Sequence, residues 1–508
     1  MNPAALSPAE EKFERLRRRA GLFLAPAIAL IIWLLPLPTL APAAHQVLAV
    51  LAAAVVLWIT EAIPLPVTAL AAPALCVVLG VAPVREVFKS FADPIIFVFL
   101  GGFLLAEAML HHGLNRRVAF TILSLPSVGR SPTRILIAFS LVTAGISAWV
   151  SNTATTAMMF PIALAILTEM ARRKSATAGR GVSIRELSFG PALMLSAAFG
   201  SSVGGLATPV GTPPNLIGLG LIEKNLGVRI TFFQWMSFGV PLALTLVLFV
   251  CFTLRPRGAE KALLSGGLDW LAREKERLGP WTRGQVNVLI AFLVTVFLWL
   301  SPGVVAVILG DNSPPALWLN RHLPESVVAL LGAILLFVLP VRWRGEAEFT
   351  LTWREAQQID WGTILLFGGG LALGDLMFST GLAKWMGEGL AHALNAHTVL
   401  GLIILFAAVG AMVSETTSNA ASATMVVPVA IAVAQAAGVN PLQPALAACL
   451  GASMGFMLPV STPPNAIVYG SGCVPLLQMM KHGLVLDLFG VVAVSGVVYW
   501  LVPLVLKL

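Results

Sequence analysis

Two short polar clusters interrupt an otherwise apolar chain, and their residue types could do chemistry. Ser151-Asn152 and Ser418-Asn419 each place a hydroxyl and an amide just before an apolar segment, and each has another serine four residues upstream, Ser147 and Ser414. Further along stand Gly211-Thr212-Pro213-Pro214-Asn215 and Ser461-Thr462-Pro463-Pro464-Asn465. Paired prolines remove N–H donors and interrupt a helix, so they expose the carbonyls of Gly211 and Ser461 and the hydroxyls of Thr212 and Thr462. A single Ser-Asn ahead of a helix is ordinarily a cap. A duplicated Ser-x-x-x-Ser-Asn, each followed by a duplicated Thr-Pro-Pro-Asn, reads as a site built twice.

The donor set constrains what the site takes. Hydroxyl, amide and carbonyl oxygens are hard ligands suited to small cations such as Na⁺. The following helix N-termini and the amide and hydroxyl donors suit a carboxylate. None of the four segments contains Lys, Arg or His. An anion held there meets no fixed positive charge, so cations entering with it would supply the balance and couple the two.

The surrounding composition says where this happens. Of 508 residues 57% are hydrophobic and 11% charged, with a mean hydropathy of +0.88, which excludes a soluble enzyme. Apolar runs such as Gly21 to Leu37 and Trp235 to Phe252 recur and approach the ~20 residues that cross a bilayer. The net charge of +8 comes mainly from short loops rather than a basic domain. Its clusters are Lys12 to Arg19; Arg172, Arg173, Lys174, Arg180 and Arg185; Arg255 to Arg283; and Arg342, Arg344 and Arg354. The positive-inside rule places all four in the cytoplasm, with the N-terminus. The run after residue 20 lacks a signal-peptide cleavage signature and is expected to remain as a span.

The polar stretch Arg255 to Gln285, which includes Glu260, Asp269, Glu274 and Glu276, divides the chain. Either side of it the sequence repeats: the Ser-Asn and Thr-Pro-Pro-Asn motifs return in order, as does Gly101-Gly102 with Gly113-Leu114 in Gly369-Gly370 with Gly381-Leu382. Basic residues flank both ends of 132–171, near Arg130 and Arg134 and at Arg172-Arg173-Lys174, so this segment reads as a re-entrant hairpin with Ser151-Asn152 at its tip. Its counterpart, 398–436, is bordered by His392, Asn395 and Asn440 and is expected to enter from the opposite side, which makes the halves an inverted repeat. Non-helical backbone at membrane depth is tolerated only inside protein or along a polar cavity.

Other chemistry is weaker. Glu61, Glu107, Asp375 and Glu415 are the acids read at membrane depth, where a proton carrier is the default reading; Glu415, beside Ser414 in the second tip, has Ala148 as its first-half counterpart and is expected instead to accept from backbone or hydroxyl groups. His111-His112 reads as a loop or interfacial pair, because neighbours on a helix point apart. The glycine runs lack the strand context of a nucleotide fingerprint and suit close helix packing. Cys76, Cys251, Cys449 and Cys473 have neither metal-knuckle nor redox spacing and read as buried thiols. No catalytic dyad or zinc motif supports an intramembrane enzyme, and duplicated hairpins favour alternating access over a channel.

With these residues in view, the chain resembles the divalent anion/sodium symporter family over nearly everything after residue 20. The resemblance rests on Trp58-Ile-Thr-Glu-Ala-Ile-Pro-Leu-Pro-Val-Thr-Ala-Leu70, Ser151-Asn152-Thr153, Ser-Glu-Thr-Thr-Ser-Asn at 414–419 and both Thr-Pro-Pro-Asn segments. It implies a sodium-coupled importer of C4-dicarboxylates such as succinate, malate or fumarate. Within the family the alternatives are a sodium-independent exchanger, or a symporter for citrate or sulfate. It further implies a homodimer in which a rigid transport domain moves across the membrane, as an elevator, against a scaffold.

By the same resemblance one sodium site comprises Ser147, Ser151, Asn152 and the Gly211 carbonyl, and the other Ser414, Thr417, Asn419 and the Ser461 carbonyl. The anion is expected at Asn152, Thr153, Thr212, Pro213, Asn419, Ala420, Thr462 and Pro463. Ala420 departs from the threonine of many relatives and removes one donor to a carboxylate.

The expected architecture is an all-α polytopic membrane protein with broken helices and two inverted repeats. A cytoplasmic segment (1–20) precedes scaffold helices (21–110) and a transport region (111–253). A cytoplasmic linker (254–285) leads to the second scaffold (286–380) and transport (381–508) regions. Short loops and the lack of an evident targeting segment suggest a bacterial inner membrane.

Overall fold

The computed structural model describes residues 8–128, 131–255, 269–343, 347–394 and 398–507. Arg130, Glu260, Arg344 and Asn395, invoked above for topology, lie outside the described residues. In chain order the first half holds α1 (Pro8–Leu34), α2 (Pro42–Thr60), α3 (Leu65–Val78), α4 (Val84–Phe88), α5 (Pro94–His111) and α6 (Leu114–Leu123). It continues with α7 (Pro132–Ser147), α8 (Asn152–Ala178), α9 (Phe189–Gly204), α10 (Pro213–Leu226) and α11 (Phe232–Thr253). After α12 (Asp269–Arg277) come α13 (Arg283–Leu309), α14 (Pro314–His322), α15 (Glu325–Val338), α16 (Trp353–Ala356), α17 (Trp361–Ser379) and α18 (Leu382–Leu394). The chain ends with α19 (Val399–Thr416), α20 (Asn419–Ala436), α21 (Leu442–Gly451), α22 (Pro463–Tyr469), α23 (Leu476–Gly496) and α24 (Val502–Leu506). A two-stranded antiparallel ribbon, β1 (Pro340–Arg342) and β2 (Glu348–Phe349), is the only sheet among the described residues.

Ten of the described helical segments are long and apolar enough to cross a membrane, and the bent pair α14–α15, with 62° between its helices, would add an eleventh. The protein is therefore a multi-pass membrane protein. α1 is not among the ten, because Lys12 to Arg19 fill its first half.

Polar residues set the helix starts. Ser131 accepts the Arg134 N–H ahead of Pro132 and opens α7; Ser151 and Ser418 accept the N–H groups of Ala154 and Ala421 and open α8 and α20, each at 3.2 Å. The chain breaks at 148–151 and 417–418, where the two tips were expected. α8 runs past the expected hairpin end at 171 to Ala178. Glu169 lies 2.8 Å from both Arg172 and Arg173, and such pairs one turn apart favour continued helix. Arg172, Arg173 and Lys174 therefore belong to α8, and Arg180 and Arg185 follow it.

Packing repeats between the halves. α5 lies on α15 as α17 lies on α3; α7 and α8 pack on α9 as α19 and α20 pack on α21; α10 meets α20 while α22 meets α8. Small residues permit the first pair of crossings. A side chain on Gly101 would strike the Ala329 backbone, and one on Gly369 the Ala69 carbonyl oxygen, both within 2.5 Å of its Cβ. The four cysteines are buried and free.

Two of the acids read at membrane depth have basic partners. Glu61 caps α2 in the left-handed region at φ 46° and lies 3.4 Å from Arg17 and 3.8 Å from Arg18. Asp375 on α17 forms an ion pair with Lys224 of α10 and accepts the Ser90 hydroxyl at 2.6 Å. Sequence distance hid both partners. The linker is fastened too, since buried Arg117 of α6 donates to the Leu278, Gly279 and Pro280 carbonyls and lies over the Trp281 ring.

Candidate functional site

The first tip is assembled by α7, α8 and the stretch between α9 and α10, which opens with a 3-10 turn at Gly205–Ala207. Ser147, the last residue of α7, donates its hydroxyl to Asn152 Oδ1 at 2.8 Å. The other end of that amide lies 3.5 Å from the Thr212 hydroxyl. Gly205 and Gly211 complete a cradle. A Cβ on Gly205 would stand 2.7 Å from Asn152 Oδ1 and 3.0 Å from the Gly211 carbonyl oxygen, and one on Gly211 would stand 3.0 Å from the Ala148 carbonyl oxygen. Ser147, Asn152, Gly211 and Thr212 are thus brought together around hard oxygens. Ser151 is exposed and spends its side chain on the α8 cap; Thr153 is exposed on the first turn, and Pro213 is the first residue of α10.

The second tip has the same construction. Ser414 donates to Asn419 Oδ1 at 2.8 Å and is also bonded to the Ala452 carbonyl. A Cβ on Gly455, the counterpart of Gly205, would stand 3.0 Å from the Ser414 hydroxyl and 3.6 Å from Asn419 Oδ1. Thr417 is buried and bonded to the Val413 carbonyl of its own helix. Thr462 accepts the Asn465 N–H and starts α22, whose first residue is Pro463. Ala420 is buried in the first turn of α20.

The last residue of each Thr-Pro-Pro-Asn does what the sequence reading missed. Asn215 Nδ2 donates to the carbonyls of Gly205 and Thr208 at 2.9 and 2.8 Å, and Asn465 Nδ2 to those of Gly455 and Leu458 at 3.2 and 3.0 Å. Both asparagines are fully buried. Each clamps the break between helices beside its tip, which holds the glycine of the cradle in place. The repeated asparagine was visible in the motif, but its partners were not.

Glu415 holds the second break by accepting the Met457 and Leu458 N–H groups at 2.8 and 3.2 Å and the Ser461 hydroxyl. That is the structural use expected of it. In the first half the Thr208 hydroxyl reaches the Ala148 carbonyl instead. The His111-His112 pair lies at the end of α5 with its rings nearly perpendicular, His111 beside Glu355 and His112 on the Thr350 carbonyl. The two breaks belong to one packed body: Phe199 meets Phe456 edge to face at 5.3 Å, and the Cys449 thiol donates to the Pro214 carbonyl.

Both cradles present neutral oxygens and helix N-termini with no fixed cation, a donor chemistry suited to a small hard cation rather than a transition metal. Among the described residues no group of three His, Cys, Asp or Glu could hold a metal ion. The sequence matches a family model described as "Sodium:sulfate symporter transmembrane region" over residues 16–506. The chain belongs to the divalent anion/sodium symporter family. It is 34% identical over 501 residues to the sodium-dependent dicarboxylate transporter SdcS of Staphylococcus saprophyticus, covering 98% of this chain and 94% of that one. The SdcS of Staphylococcus aureus is 34% identical over 490 residues, covering 96% and 91%. Among solved structures, MtrF of Neisseria gonorrhoeae, described with a class of antimetabolite efflux pumps, superposes with a TM-score of 0.51 at 15% identity over 81% of this chain and 82% of that one. That likeness concerns fold alone. The chain is a membrane transporter, not an enzyme.

Proposed function

We propose that this transporter imports C4-dicarboxylates such as succinate, malate and fumarate together with sodium ions, by an elevator movement. The observation that carries the reading is the duplicated cradle, in which Asn152 with Gly205 and Gly211, and Asn419 with Ser414 and Gly455, present hard oxygens twice and no fixed positive charge. The names of the staphylococcal relatives supply the sodium and the dicarboxylate.

One cation is assigned to Ser147, Ser151, Asn152 and the Gly211 carbonyl, the other to Ser414, Thr417, Asn419 and the Ser461 carbonyl. Carboxylates are assigned to Asn152, Thr153, Thr212 and Pro213 on one side and Asn419, Ala420, Thr462 and Pro463 on the other. Each cation lowers the cost of desolvating the dianion, and the dianion lowers that of the cations, so empty or half-loaded cradles are poor cargo. The segments 132–171 and 398–436 are re-entrant hairpins of opposite orientation, carried by the transport regions 111–253 and 381–508. The scaffold regions 21–110 and 286–380 form the homodimer contact in a bacterial inner membrane, with segment 1–20 and linker 254–285 in the cytoplasm.

The test is uptake of labelled succinate by proteoliposomes. An inward sodium gradient is compared with equal sodium on both sides and unlabelled succinate inside. Accumulation that needs the gradient supports symport. Uptake that ignores sodium and needs internal succinate makes the protein an exchanger and overturns the cation assignment.

A further inference from the structure

α7 and its neighbour α6 do not close on each other. Between them runs a cavity of about 630 Å³, backed by Met109 of α5 and Phe292 of α13. It begins at Arg134, in the first turn of α7, and ends at Trp149, beside the first tip. Trp149 is fixed there, edge to face with Phe292 at 5.0 Å. Between these ends the α7 wall is apolar, and it includes Gly145, where a Cβ would meet nothing within 4 Å. The open side is bordered by Val118, Ile122, Ile137 and Leu141, each 36–40% exposed.

Lining, length and charge together say what fills it. So apolar a space holds no stable water, and left empty it would forfeit the dispersion contacts of the side chains around it. Its length matches one lipid. α7 rises ~20 Å from Arg134 to Ser147, and half a bilayer, headgroups included, measures ~20–22 Å. Its charge has one sign, because Arg134 is the only charged residue of the lining. One guanidinium N–H of Arg134 goes to the Ser127 carbonyl at 3.3 Å. A guanidinium carries five donors in a fork that matches a phosphate, which leaves the others for a headgroup.

We propose that this groove is a binding site for one anionic glycerophospholipid, its phosphate on Arg134 and one acyl chain lying along α7 to Trp149. The lipid comes from the leaflet at which α7 starts and enters past Ile137 and Leu141. It fills the wedge between the helix that carries Ser147 and α6, which Arg117 fastens to the linker. Along this face α7 therefore rests on lipid rather than on protein. The site requires nothing of the ion or anion that is carried.

The experiment places the purified full chain in phosphatidylcholine vesicles containing a little phosphatidylglycerol with a photoactivatable group at the end of one acyl chain. The labelled peptides are then mapped. Labelling is expected at 142–149, about fivefold stronger than with the matching phosphatidylcholine reagent, the preference that one basic residue near the surface gives an acidic lipid. Gly145→Leu puts a side chain into the groove where space is free, with a better helix former than glycine. It should abolish this labelling in a protein that elutes as before. Arg134→Gln should keep the labelling and make the two lipids equal. Label spread evenly over the outer helices, with no excess at 142–149, overturns the proposal. Equal labelling of the unaltered protein by both lipids overturns the anionic ligand, and unchanged labelling of Gly145→Leu overturns the groove.

Discussion

Replacing Asn215 by alanine isolates the clamp from the cradle it holds. The amide donates to two carbonyls, Gly205 at 2.9 Å and Thr208 at 2.8 Å, in a fully buried position. Its loss leaves the Gly205 carbonyl unpaired, at about 1–3 kcal/mol, and takes from the Thr208 carbonyl, which keeps the Gly211 N–H, a second bond worth about 0.5–1.5 kcal/mol. The Asn215 Oδ1 itself has no partner, and its removal returns about 1–3 kcal/mol of that penalty. The net cost is then about 0.5–1.5 kcal/mol. Without cation the freed stretch relaxes to pair its carbonyls elsewhere, so the cation must re-form the cradle. The cost then appears as weaker sodium binding, about tenfold for each 1.4 kcal/mol. The assay is the sodium concentration for half-maximal uptake at saturating succinate, with thermal stability measured in parallel. A rise of about two- to tenfold with the protein still folded is expected, from ~0.5–1.5 kcal/mol. A lowered melting temperature with unchanged half-saturation would refute the reasoning and leave Asn215 an ordinary buried amide.

Three further outcomes follow from the same geometry. Gly205→Ala places a methyl 2.7 Å from Asn152 Oδ1 and should abolish sodium binding at the first cradle; unchanged radioactive sodium binding by the folded variant would contradict the cradle. Lys224→Gln removes the ion pair joining α10 to α17 and the bond to Ser90, which ties a proposed transport region to a proposed scaffold. It should shift the balance of inward- and outward-facing states, read from cysteine accessibility on both membrane sides, and an unchanged pattern would deny the pair a role at the moving boundary. Ala420→Thr restores a hydroxyl in the first turn of α20 and should change the ranking of succinate, citrate and sulfate as competitors more than the sodium dependence.

The duplicated tips were legible because hydroxyl and amide groups inside apolar runs leave few structural roles, and the breaks at 148–151 and 417–418 fell where those residues stand. The Thr-Pro-Pro-Asn stretches were legible for a related reason, since adjacent prolines must end one helix and start another. What stayed hidden depends on neighbours far apart in sequence. The carbonyl partners of Asn215 and Asn465 and the pairing of Lys224 with Asp375 arise only once helices pack on small residues. The continuation of α8 through Arg172 and Arg173 was hidden too, because it depends on their pairing with Glu169.

The most direct test of the central claim, that the two tips form the coupling site, is sodium-driven succinate uptake by Asn152→Ala and Asn419→Ala beside the unaltered protein. Each substitution removes an amide held by a buried serine at 2.8 Å. Both variants should elute as the unaltered protein does and transport nothing measurable. Near-normal uptake by either would contradict the account.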